Sequence, residues 1–143
     1  TSNIQKNIHH CYQNLKEQLD NFVPRRAQNY LVAEIAKTLC GEYHKSNRIL
    51  VAEAGTGIGK SLSYLMAAIP VALFNNRKVV ISTATVALQE QLVNKDLPLY
   101  RRLTDKEFSF ILAKATGFAS KLFVISSLHD ENTNPSINNI YML

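Results

Sequence analysis

The sequence predicts an α/β domain in which helices flank a parallel sheet. Three observations lead there. Apolar residues recur at helical spacing in two early segments, short β-branched runs alternate with helical ones later, and a glycine-rich turn joins the first such run to the following helix. Strand, helix, strand, helix, strand is the order that lays strands side by side through helical crossovers.

The elements follow in chain order. Ile4, Ile8, Cys11/Tyr12, Leu15 and Leu19 fall on one face of a helix within residues 1–21. Asn21, Phe22, Val23 and Pro24 break it. A second helix is expected from Arg25 to Cys40, with Ala27, Leu31, Ile35 and Leu39 on one face and Gly41 as its stop. The β-formers of Arg48 to Ala52 predict a buried strand, and glycines 55, 57 and 59 a loop. Lys60 to Phe74 reads as a helix kinked at Pro70, followed by a turn at Asn75 and Asn76. Lys78 to Ser82 predicts a second buried strand, Thr85 to Lys95 a helix, and Phe108 to Ala113 a third strand. The sequence divides into 1–21, 22–114 and a divergent tail, 115–143, whose polar run His129 to Asn139 is expected to be disordered.

A chain of 143 residues with 46% hydrophobic residues suits one modest domain with a real core. The formal charge of +5 suits a polyanionic partner. Many soluble proteins are equally basic, however, and the pairs Arg25-Arg26, Arg77-Lys78 and Arg101-Arg102 are scattered, so charge alone assigns no partner. Cys11 and Cys40 match no metal-ligand spacing and fit a reducing, cytoplasmic setting. His9, His10 and Cys11 are consecutive on a helix and cannot converge on one ion. No run approaches the roughly 18 apolar residues of a membrane span, and no membrane partner is expected.

The strongest chemical signal is Ala54-Gly55-Thr56-Gly57-Ile58-Gly59-Lys60-Ser61. It fits the Walker A phosphate loop, with Ala54 in place of the first glycine and with a predicted strand before and helix after. The glycines let backbone N–H groups curl toward a phosphate, and the helix start adds its positive dipole end. Lys60 supplies a mobile cation for the β- and γ-phosphates, and the Ser61 hydroxyl is a hard oxygen for Mg2+. Lys60 and Ser61 are thus the candidate catalytic residues, and Ser61 the candidate metal ligand. Glu53, beside the loop, reads as a strand end rather than a base.

The neighbouring residues resemble DinG-type ATP-dependent DNA helicases, of superfamily 2 and related to the XPD group. Phe22-Val23-Pro24-Arg25-Arg26-Ala27-Gln28 resembles that family's adenine-recognition segment, which makes Arg25 and Gln28 the adenine contacts by position. An amide offers a donor and an acceptor together, as an adenine edge requires. Ser82 to Leu92 resembles helicase motif Ia, whose turn touches the backbone of single-stranded DNA. Thr83, Thr85 and Gln89 are the DNA-binding candidates, although either threonine could simply cap a helix. Asn94-Lys95-Asp96-Leu97-Pro98-Leu99 continues the likeness.

The resemblance runs from about Lys6 to Lys114 and implies an incomplete RecA-like domain that binds ATP and Mg2+. The family's iron–sulfur cysteines, Asp-Glu box and second motor domain have no counterpart in these residues. The reading is therefore the ATP-binding N-terminal part of a helicase that couples hydrolysis to movement on DNA, inactive alone. Two alternatives stay open: a non-catalytic nucleotide-binding module, and a different P-loop NTPase. The abrupt end of the likeness leads us to expect a frameshift or premature stop after Lys114. The coding DNA downstream, read in all frames, should then contain the missing cysteines and acidic box; unrelated sequence there would sink this expectation.

Overall fold

The computed structural model describes residues 2–113, 121–126 and 140–142. Its first helix, α1 (Ser2–Gln18), buries Ile4, Cys11 and Leu15, the stripe that periodicity predicts. Leu19, the last residue of that stripe, lies beyond the helix and is partly exposed. α2 (Arg26–Cys40) buries Leu31, Val32, Ile35 and Leu39. It ends where expected, because Gly41 adopts φ 78° and so turns the chain in a left-handed conformation. The Gly41 and Glu42 N–H groups then donate to the Thr38 and Lys37 carbonyls, satisfying acceptors that the helix end would leave open.

α3 (Lys60–Phe74) is the centre of the molecule. Leu62, Ser63 and every residue from Leu65 to Ala72 are buried. A helix that is apolar on all sides must be covered on all sides. α1, α2, α5 and β1 all pack against it. The helix continues through Pro70 rather than ending there. Asn75 and Asn76 then turn the chain, Asn76 with φ 51°, and Asn75 Nδ2 donates to the Val71 carbonyl at 2.7 Å.

β1 (Lys78–Thr83) follows, with Val79, Val80 and Ile81 buried. α4 (Val86–Gln91) begins at Thr85, whose hydroxyl accepts from the Leu88 N–H at 3.2 Å. A π-helical turn, Leu92–Asp96, joins α4 to α5 (Leu97–Leu103). Tyr100 and Phe108 meet in the core with ring centroids 5.7 Å apart. Arg101 donates to the Phe108 carbonyl and lies over its ring. Side chains of α1 tie it to the α5 end: Asn14 Nδ2 reaches the Leu103 carbonyl at 2.8 Å, and Asn7 reaches Asp105.

The sheet differs from expectation in two ways. β2 (Ser109–Ala113), β3 (Lys121–Ser126), β1 and β4 (Ile140–Met142) lie in the order β2-β3-β1-β4. β1 runs antiparallel to β3 and parallel to β4, so the sheet is mixed rather than parallel. Residues 121–126 and 140–142 of the predicted tail are therefore paired strands, while the polar run 129–139 lies outside the described residues. The second difference is Arg48 to Ala52, which forms no strand. Ile49 is 80% and Val51 92% exposed. A strand is stabilised by its partners, and among the described residues the positions beside β1 are taken by β3 and β4.

These contrasts predict opposite responses to truncation. Leu65→Ala opens a cavity in a fully buried site and should cost about 2–5 kcal/mol in chemical denaturation. Val51→Ala should change stability by no more than about 0.5 kcal/mol. A large cost for Val51→Ala would mean that this segment is packed in solution.

Candidate glycine-loop site

The residues from Ala54 to Ser61 form a tight loop leading directly into α3. Gly57 (φ 80°) and Gly59 (φ 81°) both occupy the left-handed region that side chains avoid. Gly59 is the N-terminal cap of α3 and has no side chain with which to accept from the first turn. The first intrahelical bond is Ser63 N–H to the Gly59 carbonyl, at 3.1 Å. The N–H groups of Lys60, Ser61 and Leu62 precede it and therefore have no intrahelical acceptor. Together with the helix dipole they make this end of α3 electropositive.

Three side chains bond to the loop backbone. Lys60 folds back so that Nζ donates to the Ala54 carbonyl at 2.7 Å. Arg25, just before α2, donates to the Gly57 carbonyl. Gln28, only 4% exposed, reaches the Gly59 carbonyl through Nε2 at 3.5 Å. The approach is close enough that a Cβ on Gly59 would stand 2.7 Å from that amide nitrogen. The two upstream residues singled out in the sequence are thus brought onto the loop backbone itself. Ser61 sits on the first turn of α3, half-buried.

Asp96, which the sequence did not single out, is a buried carboxylate in the π-helical turn. Gln91 Nε2 donates to its Oδ2 at 3.2 Å. Burial pushes the Asp96 carboxyl above its usual range, against the hydrogen bond from Gln91 and the charge of Lys95.

The three DNA-binding candidates cluster at the end of β1 and in α4. Thr85 caps α4 with its own hydroxyl. Thr83 Oγ1 and Gln89 Oε1 are buried without a hydrogen-bond partner among the described residues, and Gln89 is only 6% exposed. Gln89 therefore points inward rather than presenting an open surface. Among the described residues no three His, Cys, Asp or Glu side chains gather as a metal site, and no helix is long and apolar enough to cross a membrane.

Comparison with known proteins gives a consistent picture. No family model matches the chain. Over 113 residues, 79% of its length, it is 74% identical to the ATP-dependent DNA helicase DinG of Photobacterium profundum. Over 103 residues it is 44% identical to the protein of the same name from Escherichia coli, and 43% to that of Salmonella typhimurium. The matched segment makes up 16% of the Photobacterium protein and 14% of the other two, so the chain spans a small part of these relatives. It belongs, over that matched segment, to the family of proteins named ATP-dependent DNA helicase DinG.

Proposed function

We propose that this chain is the ATP-binding part of a DinG-type DNA helicase, with Ala54 to Ser61 as a P-loop opening an incomplete RecA-like domain. The observation that carries this reading is the convergence at one loop of two left-handed glycines, the free N–H groups of α3 and Lys60. Each is suited to phosphate oxygens, and together they form a small concave cation. Lys60 exchanges the Ala54 carbonyl for the β- and γ-phosphates, trading a neutral acceptor for a charged one.

Arg25 and Gln28 connect the base to this loop. Both stand over it from the start of α2, and a Gln amide can present a donor and an acceptor to the adenine edge. Ser61 offers the hard oxygen that Mg2+ requires. When bound, Mg2+ would neutralise charge on the phosphates. The chain's two cysteines, Cys11 and Cys40, are too few for the four thiolates of an iron–sulfur cluster.

Single-stranded DNA is the proposed partner, touched at the turn that carries Thr83 and Thr85. The exposed start of α4 supports this, since free N–H groups there suit backbone phosphates. Gln89 serves this contact from within, bracing α4 rather than meeting the strand. A cytoplasmic setting suits such a protein. Hydrolysis needs carboxylates to orient water and an arginine to stabilise the transferring phosphoryl group. That arginine is worth roughly 10³–10⁵ in rate in related systems.

Lys60→Ala should weaken binding of a fluorescent ATP analogue by about ten- to a hundredfold, the effect of losing a charge-assisted hydrogen bond. Equal affinity in variant and parent would show that phosphates bind elsewhere. Unlabelled ATP should displace the analogue much better than GTP, and equal displacement would remove Arg25 and Gln28 from base recognition. The 143-residue chain should turn over ATP negligibly with or without single-stranded DNA. Turnover stimulated by DNA and abolished by Lys60→Ala would show that these residues complete a working site.

A further inference from the structure

A cleft of about 600 Å³ lies at the end of α3 opposite the glycine loop, between the start of α1 and the chain just after α5. Part of its lining is apolar. Ile4 and Pro70 are buried there, and Phe74, the last residue of α3, is 56% exposed. The rest is polar and basic. Lys6 and Lys106 line the cleft, and neither forms an ion pair among the described residues. The one carboxylate in the lining, Asp105, already accepts from Asn7 Nδ2 at 3.1 Å through Oδ1. Two ammonium groups against one carboxylate leave one positive charge in excess. His10 adds a neutral donor. Asn14 Nδ2 donates to the Leu103 carbonyl at 2.8 Å and to His10 Nε2 at 3.1 Å. An amide nitrogen only donates, so Nε2 accepts and the neutral ring keeps its proton on Nδ1. The walls are also fixed to each other, because Asn14 and Gln18 of α1 bond to the Leu103 and Arg102 carbonyls of α5. A ligand entering a cleft held in this way has little ordering cost to overcome.

We propose that this cleft binds single-stranded nucleic acid, with one base against the Phe74 ring and the adjoining phosphodiester between Lys6 and Lys106. Charge and shape select the same ligand. A phosphodiester carries one negative charge, which matches the excess in the lining. An exposed ring stacks on any base, since every base has a π-face. A duplex keeps its bases stacked on one another and offers this ring nothing. The volume also lies within the roughly 300–1,000 Å³ of sites that enclose a small molecule, enough for one nucleotide unit. The cleft is separate from the glycine loop: the 15 residues of α3, at 1.5 Å each, set Phe74 roughly 20 Å from Lys60. No residue of β1 or α4 lines it. It is therefore a second place for a strand, independent of the nucleotide reading of the loop and of any contact at Thr83 and Thr85.

The test is fluorescence anisotropy of a labelled oligothymidylate of about ten nucleotides, a length within single-strand site sizes, titrated with the 143-residue chain. The variants are Phe74→Ala, Lys6→Gln, Lys106→Gln and Lys16→Gln; all four side chains are exposed, so the fold tolerates these changes. Phe74→Ala should weaken binding by about fivefold or more, the loss of one stacked base. Lys6→Gln and Lys106→Gln should each lower the slope of log affinity against log salt by about 0.7, the release tied to one phosphate contact. Lys16→Gln removes the same charge from α1 outside the cleft and should leave affinity and slope near those of the parent. Photocrosslinking through 5-iododeoxyuridine in the strand, mapped by mass spectrometry, should mark Phe74. Crosslinks confined to residues 83–91, with Phe74→Ala binding like the parent, would overturn the cleft and leave a contact at α4 standing. Equal losses for Lys16→Gln and the cleft lysines would reduce the effect to general charge and overturn it too. A duplex that binds as tightly would remove the stacked base. Thymidine monophosphate that competes as well as unlabelled oligonucleotide would replace the strand with a free nucleotide. A parent that binds no oligonucleotide would overturn the cleft and the contact at α4 together.

Discussion

The structure depends on the burial of α3. Its sequence from Leu65 to Ala72 has no polar face to offer water, so the other elements must surround it. α1 and α2 cover it with amphipathic stripes, and α5 and β1 complete the enclosure. This arrangement has a consequence at its N-terminal end. A helix fixed by packing along its length presents its first turn at one place and in one direction. The N–H groups of Lys60, Ser61 and Leu62 are therefore held by the core, although none of them belongs to it.

The loop before α3 is shaped by a steric demand that few residues can meet. Gly57 and Gly59 both need positive φ, and Gly59 must also admit the Gln28 amide where a Cβ would collide. The bonds from Arg25 and Gln28 to the loop carbonyls make α2 a support for the loop as well as a cover for α3. In the proposed reading, that support also meets the base.

The segment from Arg48 to Ala52 shows the limit of this economy. Its composition is that of a buried strand, yet Ile49 and Val51 face solvent. Exposed apolar side chains at this density forfeit burial that α3 obtains in full. The strand β1, equally rich in β-branched residues, is buried because β3 and β4 flank it and α3 packs against it. The two segments differ in partners and not in propensity.

Local chemistry in the sequence determined α1, α2, α3 and the glycine turn. The 3.6-residue period of Ile4, Cys11 and Leu15 needs only one neighbouring apolar surface to become α1, and Gly41 ends α2 by its own conformational freedom. Glycines at 55, 57 and 59 before Lys60 likewise announced a tight turn without reference to anything distant. Tertiary structure decided what depends on pairing between remote residues. It left Arg48 to Ala52 without a ladder and gave β1 one antiparallel and one parallel neighbour. It also turned Gln89 inward and buried Asp96. Strand pairing and the burial of a polar side chain are both settled by which surfaces meet, and that information is spread over the whole chain.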